Sequence, residues 1–161
     1  NNHLHEKDSF YKTFYIDSMF GNDSYSGLSE TTPKKSLDSI SNIISTYQEL
    51  SPLRILLKRG SEFYGNLILT GYSATEEYPF ILDAYGTGDM PVIHGSGSDA
   101  DVTTNAILWI QEENTRVSNI EITGPECTRG IYVLPRKKGI YKNIVISNTE
   151  DKNLDIYGKP N

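Results

Sequence analysis

Basic residues, cysteines and long apolar runs are all scarce in this chain, and each shortage closes off a class of function. Fifteen Lys and Arg stand against 21 Asp and Glu, for a net charge of −6, and the longest basic run is Arg136-Lys137-Lys138. Nucleic acids and anionic membranes are normally met by a basic face, so neither is an expected partner. No stretch approaches the ~18 consecutive apolar residues of a membrane span. A single cysteine, Cys127, excludes an internal disulfide. Three scattered histidines, His3, His5 and His94, have no metal-binding spacing. Ser-His-Asp patterns, phosphate loops and zinc spacings are absent. There is no linker-like or low-complexity stretch either, so the 161 residues read as one domain. Tyrosine is what the chain holds in plenty: 11 of them, besides Trp109. Such amphipathic rings stack on sugars as readily as they pack in cores.

The chain from Asn105 to Gly158 repeats itself. Ala106 to Ile110 matches Gly130 to Leu134 and then Asn153 to Tyr157, while Arg116 to Gly124 matches Ile140 to Asn148. Asn119 falls on Asn143, Ile120 on Ile144 and Ile122 on Ile146, a constant offset of 24. A fixed period of this size marks a solenoid, in which each turn buries its apolar face against its neighbours. The repeated pieces are short, β-branched and alternating, so they read as strands and the repeat as one coil of a parallel β-helix. Asn119 and Asn143, stacked by the repeat, are expected to form a structural amide ladder.

Ahead of the repeat, Phe14 to Asp17 reads as a short strand, and Ser18 to Pro33 as turns. Ser36 to Leu50 places Leu37, Ile40, Ile43, Ile44, Tyr47 and Leu50 at helical spacing, with Ser36 as N-cap and Pro52 as stop. A solenoid exposes an apolar cross-section at its end, and this amphipathic helix would cover it. Strands are expected at 54–58, 66–70, 80–85 and 91–94. The polar residues 1–12 form a leader, 13–52 the cap and 53–161 the coils. The opening looks like the start of a mature or trimmed product. The coils read as stopping without a cap, as expected of a fragment or of a protein whose open end another chain covers, and Leu154 and Ile156 on the last rung would then favour end-to-end self-association.

Several motifs, in order, resemble the secreted bacterial right-handed parallel β-helix proteins of the pectate-lyase-like superfamily. They are Tyr15-Ile16-Asp17, Gly21-Asn22-Asp23, Ser26-Gly27, Pro33 and Ser36-Leu37. They continue with Ile55 to Gly60, Gly65-Asn66-Leu67, Tyr85 to Gly88, Pro91 to Gly97 and Gly130 to Val133. The resemblance implies an all-β, right-handed parallel β-helix with an N-terminal capping helix, a secreted or cell-surface location, and a polysaccharide or oligosaccharide partner. It does not choose the reaction, since fold alone never does.

If Leu108 and Ile110 point inward, so do Ile131, Val133, Leu154 and Ile156, and alternation turns Trp109, Tyr132 and Asp155 outward in one column. The column offers rings for stacking on a sugar and a carboxylate for acid–base work or a metal. The opposite register would seat Trp109 in the core and bury Asp155 unpaired, at a cost of several kcal/mol. In the turns, Glu126 and Arg129 flank Cys127, and Arg136 and Lys138 follow the next strand. A β-eliminating lyase needs cations on a uronate carboxylate and a base at the neighbouring proton. Arg129 and Lys138 are the candidates beside Asp155, with Glu126 and Arg136 as substrate contacts; the same residues also suit a plain solvated loop. Ca²⁺ held by acidic turns such as Asp17 with Asp23 is the one cofactor open to the chain, although turn statistics and the resemblance read these two residues first as turn caps, and Asp99 with Asp101 read as a solvated pair. Cys127 reads as a small filler. The leading expectation is therefore the N-terminal part of a polysaccharide lyase acting on an acidic glycan. The alternatives are a glycoside hydrolase of the same fold, or a non-catalytic glycan-binding or structural segment such as an adhesin or spike.

Overall fold

The computed structural model describes residues 9–47, 52–96, 106–124, 129–134, 138–147 and 152–156. Over these the chain is mostly β. Its elements are β1 (Lys12–Ile16), α1 (Asp38–Tyr47), β2 (Leu53–Lys58), β3 (Glu62–Tyr64), β4 (Leu67–Leu69), β5 (Phe80–Tyr85), β6 (Val92–His94), β7 (Ala106–Ile110), β8 (Thr115–Thr123), β9 (Arg129–Val133), β10 (Gly139–Ser147) and β11 (Lys152–Ile156). One curled sheet runs β1-β2-β5-β8-β6-β3, with β10 also on β8, and a second runs β11-β9-β7-β4. The ladders joining these strands are parallel. Ile144 lies on Ile120 and Ile146 on Ile122, as the repeat requires.

β8 serves two neighbours because it bends. Its first residues pair with β5 and its last with β6. Between them Asn119 takes φ 59°, and Asn143 in β10 repeats the bend at φ 51°. Asn and Gly are the residues that visit this left-handed region at low cost. The expected ladder is there: Asn143 Nδ2 donates to Asn119 Oδ1 at 2.7 Å, and Asn119 Nδ2 to Asp83 Oδ1 at 2.8 Å.

Alternation fills the space between the sheets. Ile55, Leu57, Leu82, Leu108, Ile110, Val117, Ile120 and Ile122 are wholly buried there. Each such side chain contributes roughly 1.5–3 kcal/mol. Ile40, Ile43 and Ile44 of α1 join that core, and Tyr47 packs on Phe14 with ring centroids 5.0 Å apart. The observed helix falls inside the expected 36–50; Leu50 lies outside the described residues. One strand escaped the sequence reading, β3, a three-residue piece with Phe63 as its only inward side chain.

Asp17 and Asp23 cap turns. Asp17 Oδ1 accepts from the Met19 and Phe20 amides at 2.9 and 3.1 Å. Asp23 accepts from the Lys35 and Ser36 amides and from the Ser36 hydroxyl, while Ser36 Oγ accepts the Ser39 amide of α1 at 3.3 Å. Burial pushes the Asp23 carboxyl up, but the Ser36 hydroxyl, the two amides and the Lys34 charge outweigh that and hold it below its ordinary value. A carboxyl depressed in the fold stabilises above the unfolded carboxyl range, about pH 4, and loses that contribution as pH falls through its folded value. Asp23→Ala is therefore expected to lower stability at pH 7 by about 1 kcal/mol. The gap between the variant and the natural chain should narrow at pH 3. Urea midpoints at the two pH values measure this, and an equal gap at both would contradict it.

Candidate functional site

The second sheet turns Leu67, Leu69, Leu108, Ile110, Ile131 and Val133 into the core. The residues between them face out. Ile68 stands against Trp109, Trp109 against Tyr132, and Tyr132 against Asp155. This is the register in which Trp109 lies outside the core. Trp109 and Tyr132 are half-buried. Their rings meet edge to face, centroids 6.0 Å apart at 70°, an arrangement aromatic quadrupoles favour. Arg129, at the head of β9, holds its guanidinium 5.2 Å from the Tyr132 ring centre, within cation–π range. Ile107 is fully buried, so the face is covered at that end; Trp109 and Tyr132 keep part of their surface exposed, although the indole nitrogen of Trp109 is buried.

The other expected site residues divide. Asp155 is placed by its backbone beside Tyr132, and its side chain lies outside what is described. Glu126, Arg136, Cys127, Asp99 and Asp101 also lie outside the described residues. Lys138 sits apart from the aromatic pair, at the corner where the chain enters β10. There its ammonium is 3.9 Å from the Glu76 carboxylate, both side chains largely exposed. With Asn114, Arg116, Gly139 and Ile140 it lines a cavity of about 290 Å³. The Tyr141 hydroxyl is tucked against Gly139, where no Cβ would fit. Burial pushes this phenol up to about 12, so it stays protonated at working pH and can only donate or accept a hydrogen bond. The structure thus brings Trp109, Tyr132 and Arg129 together, and puts Lys138 with Arg116 and Glu76, neither of which sequence reasoning had singled out with it. Glu76 comes from the β4–β5 connection, far away in sequence, and no local pattern signals the contact. A second outward group, Glu62, Tyr64 and His94, was missed because the three-residue β3 is too short to show alternation in the sequence. Among the described residues no cluster of three or more His, Cys, Asp or Glu could hold a metal.

Chemically, the Trp109–Tyr132 face offers rings and a guanidinium for gripping a sugar. Hydrolysis of a glycosidic bond calls for two carboxyl groups, and no pair of described carboxylates stands on this face.

No family model matches the chain. It is 31% identical over 156 residues to a lacto-N-biosidase of Bifidobacterium longum subsp. longum, covering 90% of this chain and 8% of that protein. Two crystal structures of GH136 lacto-N-biosidase from Eubacterium ramulus share its fold. The selenomethionine derivative matches with a TM-score of 0.67 at 23% identity, over 94% of this chain and 30% of that one. The native protein matches with a TM-score of 0.67 at 21% identity, over 96% and 32%. The chain therefore spans a third or less of the proteins it matches.

These likenesses correct two expectations. The proteins matched are lacto-N-biosidases, which are glycoside hydrolases, and this overturns the expectation of a polysaccharide lyase acting on an acidic glycan. The expected kinship with the pectate-lyase-like superfamily is overturned likewise, since the likenesses found are to lacto-N-biosidases. The physical reason is that Gly21-Asn22-Asp23 and Gly86-Thr87-Gly88 are turn chemistry. Any stack of parallel strands needs such turns, so they do not separate one superfamily from another.

Proposed function

We propose that this chain is the early part of a glycoside hydrolase acting on a neutral oligosaccharide, with lacto-N-biose units as the leading substrate. In this reading its curled sheets wind as a right-handed parallel β-helix, and α1 closes the starting end. The 31% identity to a lacto-N-biosidase along nearly the whole chain carries the proposal, and the outward Trp109–Tyr132 pair with Arg129 supports it as a sugar-contacting surface. Incubating the protein that contains this chain with an aryl lacto-N-bioside tests it. Release of intact lacto-N-biose is the expected result, and failure to release or bind it would overturn the reading. Binding without release would favour a glycan-binding segment, for which the lack of a carboxylate pair among the described residues of the Trp109 face already speaks.

A further inference from the structure

The two most exposed aromatic side chains among the described residues are Phe20 at 78% and Tyr64 at 74%. Neither owes its exposure to slack backbone. Phe20 rides on the turn capped by Asp17, and that turn is fastened to the head of β3. The Ser18 amide donates to Ser61 Oγ at 3.2 Å, and Ser18 Oγ accepts the Glu62 amide at 3.1 Å. Tyr64 stacks on His94 with centroids 4.8 Å apart and planes 12° apart. His94 Nε2 lies 3.1 Å from Glu62 Oε1. Beyond them Asn66 and Ser96 exchange a reciprocal pair of hydrogen bonds at 2.9 and 3.0 Å.

β3 is the edge of its sheet. Tyr64 therefore has one face on His94 and the other turned away from the sheet, toward the side where the Phe20 turn is fastened. No ring contact joins Phe20 to Tyr64. Along the same outer surface Glu62 stands against Val92 and Val92 against Glu121, so two carboxylates flank the platform two strands apart.

We propose that this surface is a second glycan subsite, one that takes a neutral hexopyranose ring against Tyr64 with Phe20 as its other wall. The apolar face of a pyranose suits a fixed ring, and Glu62 and His94 offer an acceptor and an imidazole to its hydroxyls. Glu62 and Glu121 set the ligand class, because they repel a uronate or sialate carboxylate and leave neutral sugars. The subsite lies on a different sheet from Trp109, and a long oligosaccharide or a second chain end would occupy it. It rests on the reading of the protein as glycan-directed.

Calorimetric titration of the protein that contains this chain with lacto-N-tetraose tests it, using Tyr64→Ala, Phe20→Ala, Tyr64→Phe and Trp109→Ala in parallel. Tyr64→Ala and Phe20→Ala should each weaken one binding event by roughly tenfold, while Tyr64→Phe retains it. These side chains are exposed, and unchanged melting curves will show that the variants fold. Affinity lost in Trp109→Ala but untouched in the Tyr64 and Phe20 variants would overturn the subsite and leave the proposed function standing. Absence of any binding by the natural protein would overturn both. Equal binding of an oligoglucuronate would overturn the assignment to neutral sugars.

Discussion

Asn119→Val is expected to lower the stability of the fold by about 3 kcal/mol. A β-branched residue forced to a left-handed φ costs roughly 1–2 kcal/mol. The variant also strands the Asn143 amide and one acceptor site of Asp83, each the loss of a net hydrogen bond worth about 1 kcal/mol. For a chain of this length that corresponds to a melting temperature lower by roughly 6–12 °C. Asn119→Gly separates the two contributions, since glycine accepts the bend and loses only the ladder. It should cost about 1–2 kcal/mol less than valine. Equal losses in the two variants would mean that the bend at β8 carries no conformational strain.

Trp109→Ala is expected to weaken oligosaccharide binding about 30-fold, or about 2 kcal/mol, the scale on which a central aromatic acts when truncated at an interface. The side chain is half-buried against Tyr132, so some stability goes with it. Trp109→Phe preserves a ring in that place and should recover most of the affinity. A circular-dichroism melt beside each titration distinguishes a misfolded variant from one that has lost its sugar contact. Affinity within about twofold of the natural chain would move the glycan away from this sheet.

The parts of the fold that were legible in the sequence are those where successive passes obey the same local demand. Asn119 and Asn143 recur at 24 residues because both bends need a residue that tolerates positive φ and can pass a hydrogen bond to the next strand. The isoleucines beside them recur because the same inward positions must be filled in each pass. The helix was legible from the spacing of Ile40, Ile43 and Ile44, and its start from Ser36. The earlier passes carry connections of unequal length between β4 and β5 and between β6 and β7. Matching residues there pair in space without matching in sequence, as Ile81 does with Arg116. β3 is too short to show alternation. Of the site, the outward register of Trp109 and Tyr132 was readable, because the opposite one would bury a carboxylate. Lys138 meeting Glu76, and Tyr64 meeting His94, are contacts across passes that no local pattern encodes. The reaction was misread because cations in turns fit a lyase and a solvated loop equally well.

Trp109 is the single tryptophan of the chain, so its fluorescence reports directly on whether a sugar lies on the outer face of the β4-β7-β9-β11 sheet. Titration with lacto-N-tetraose is predicted to shift its emission to shorter wavelength, saturably and with the affinity found by calorimetry, as the glycan displaces water from the indole. Calorimetric binding that persists in the Tyr64→Ala variant with no change in that emission would contradict the account.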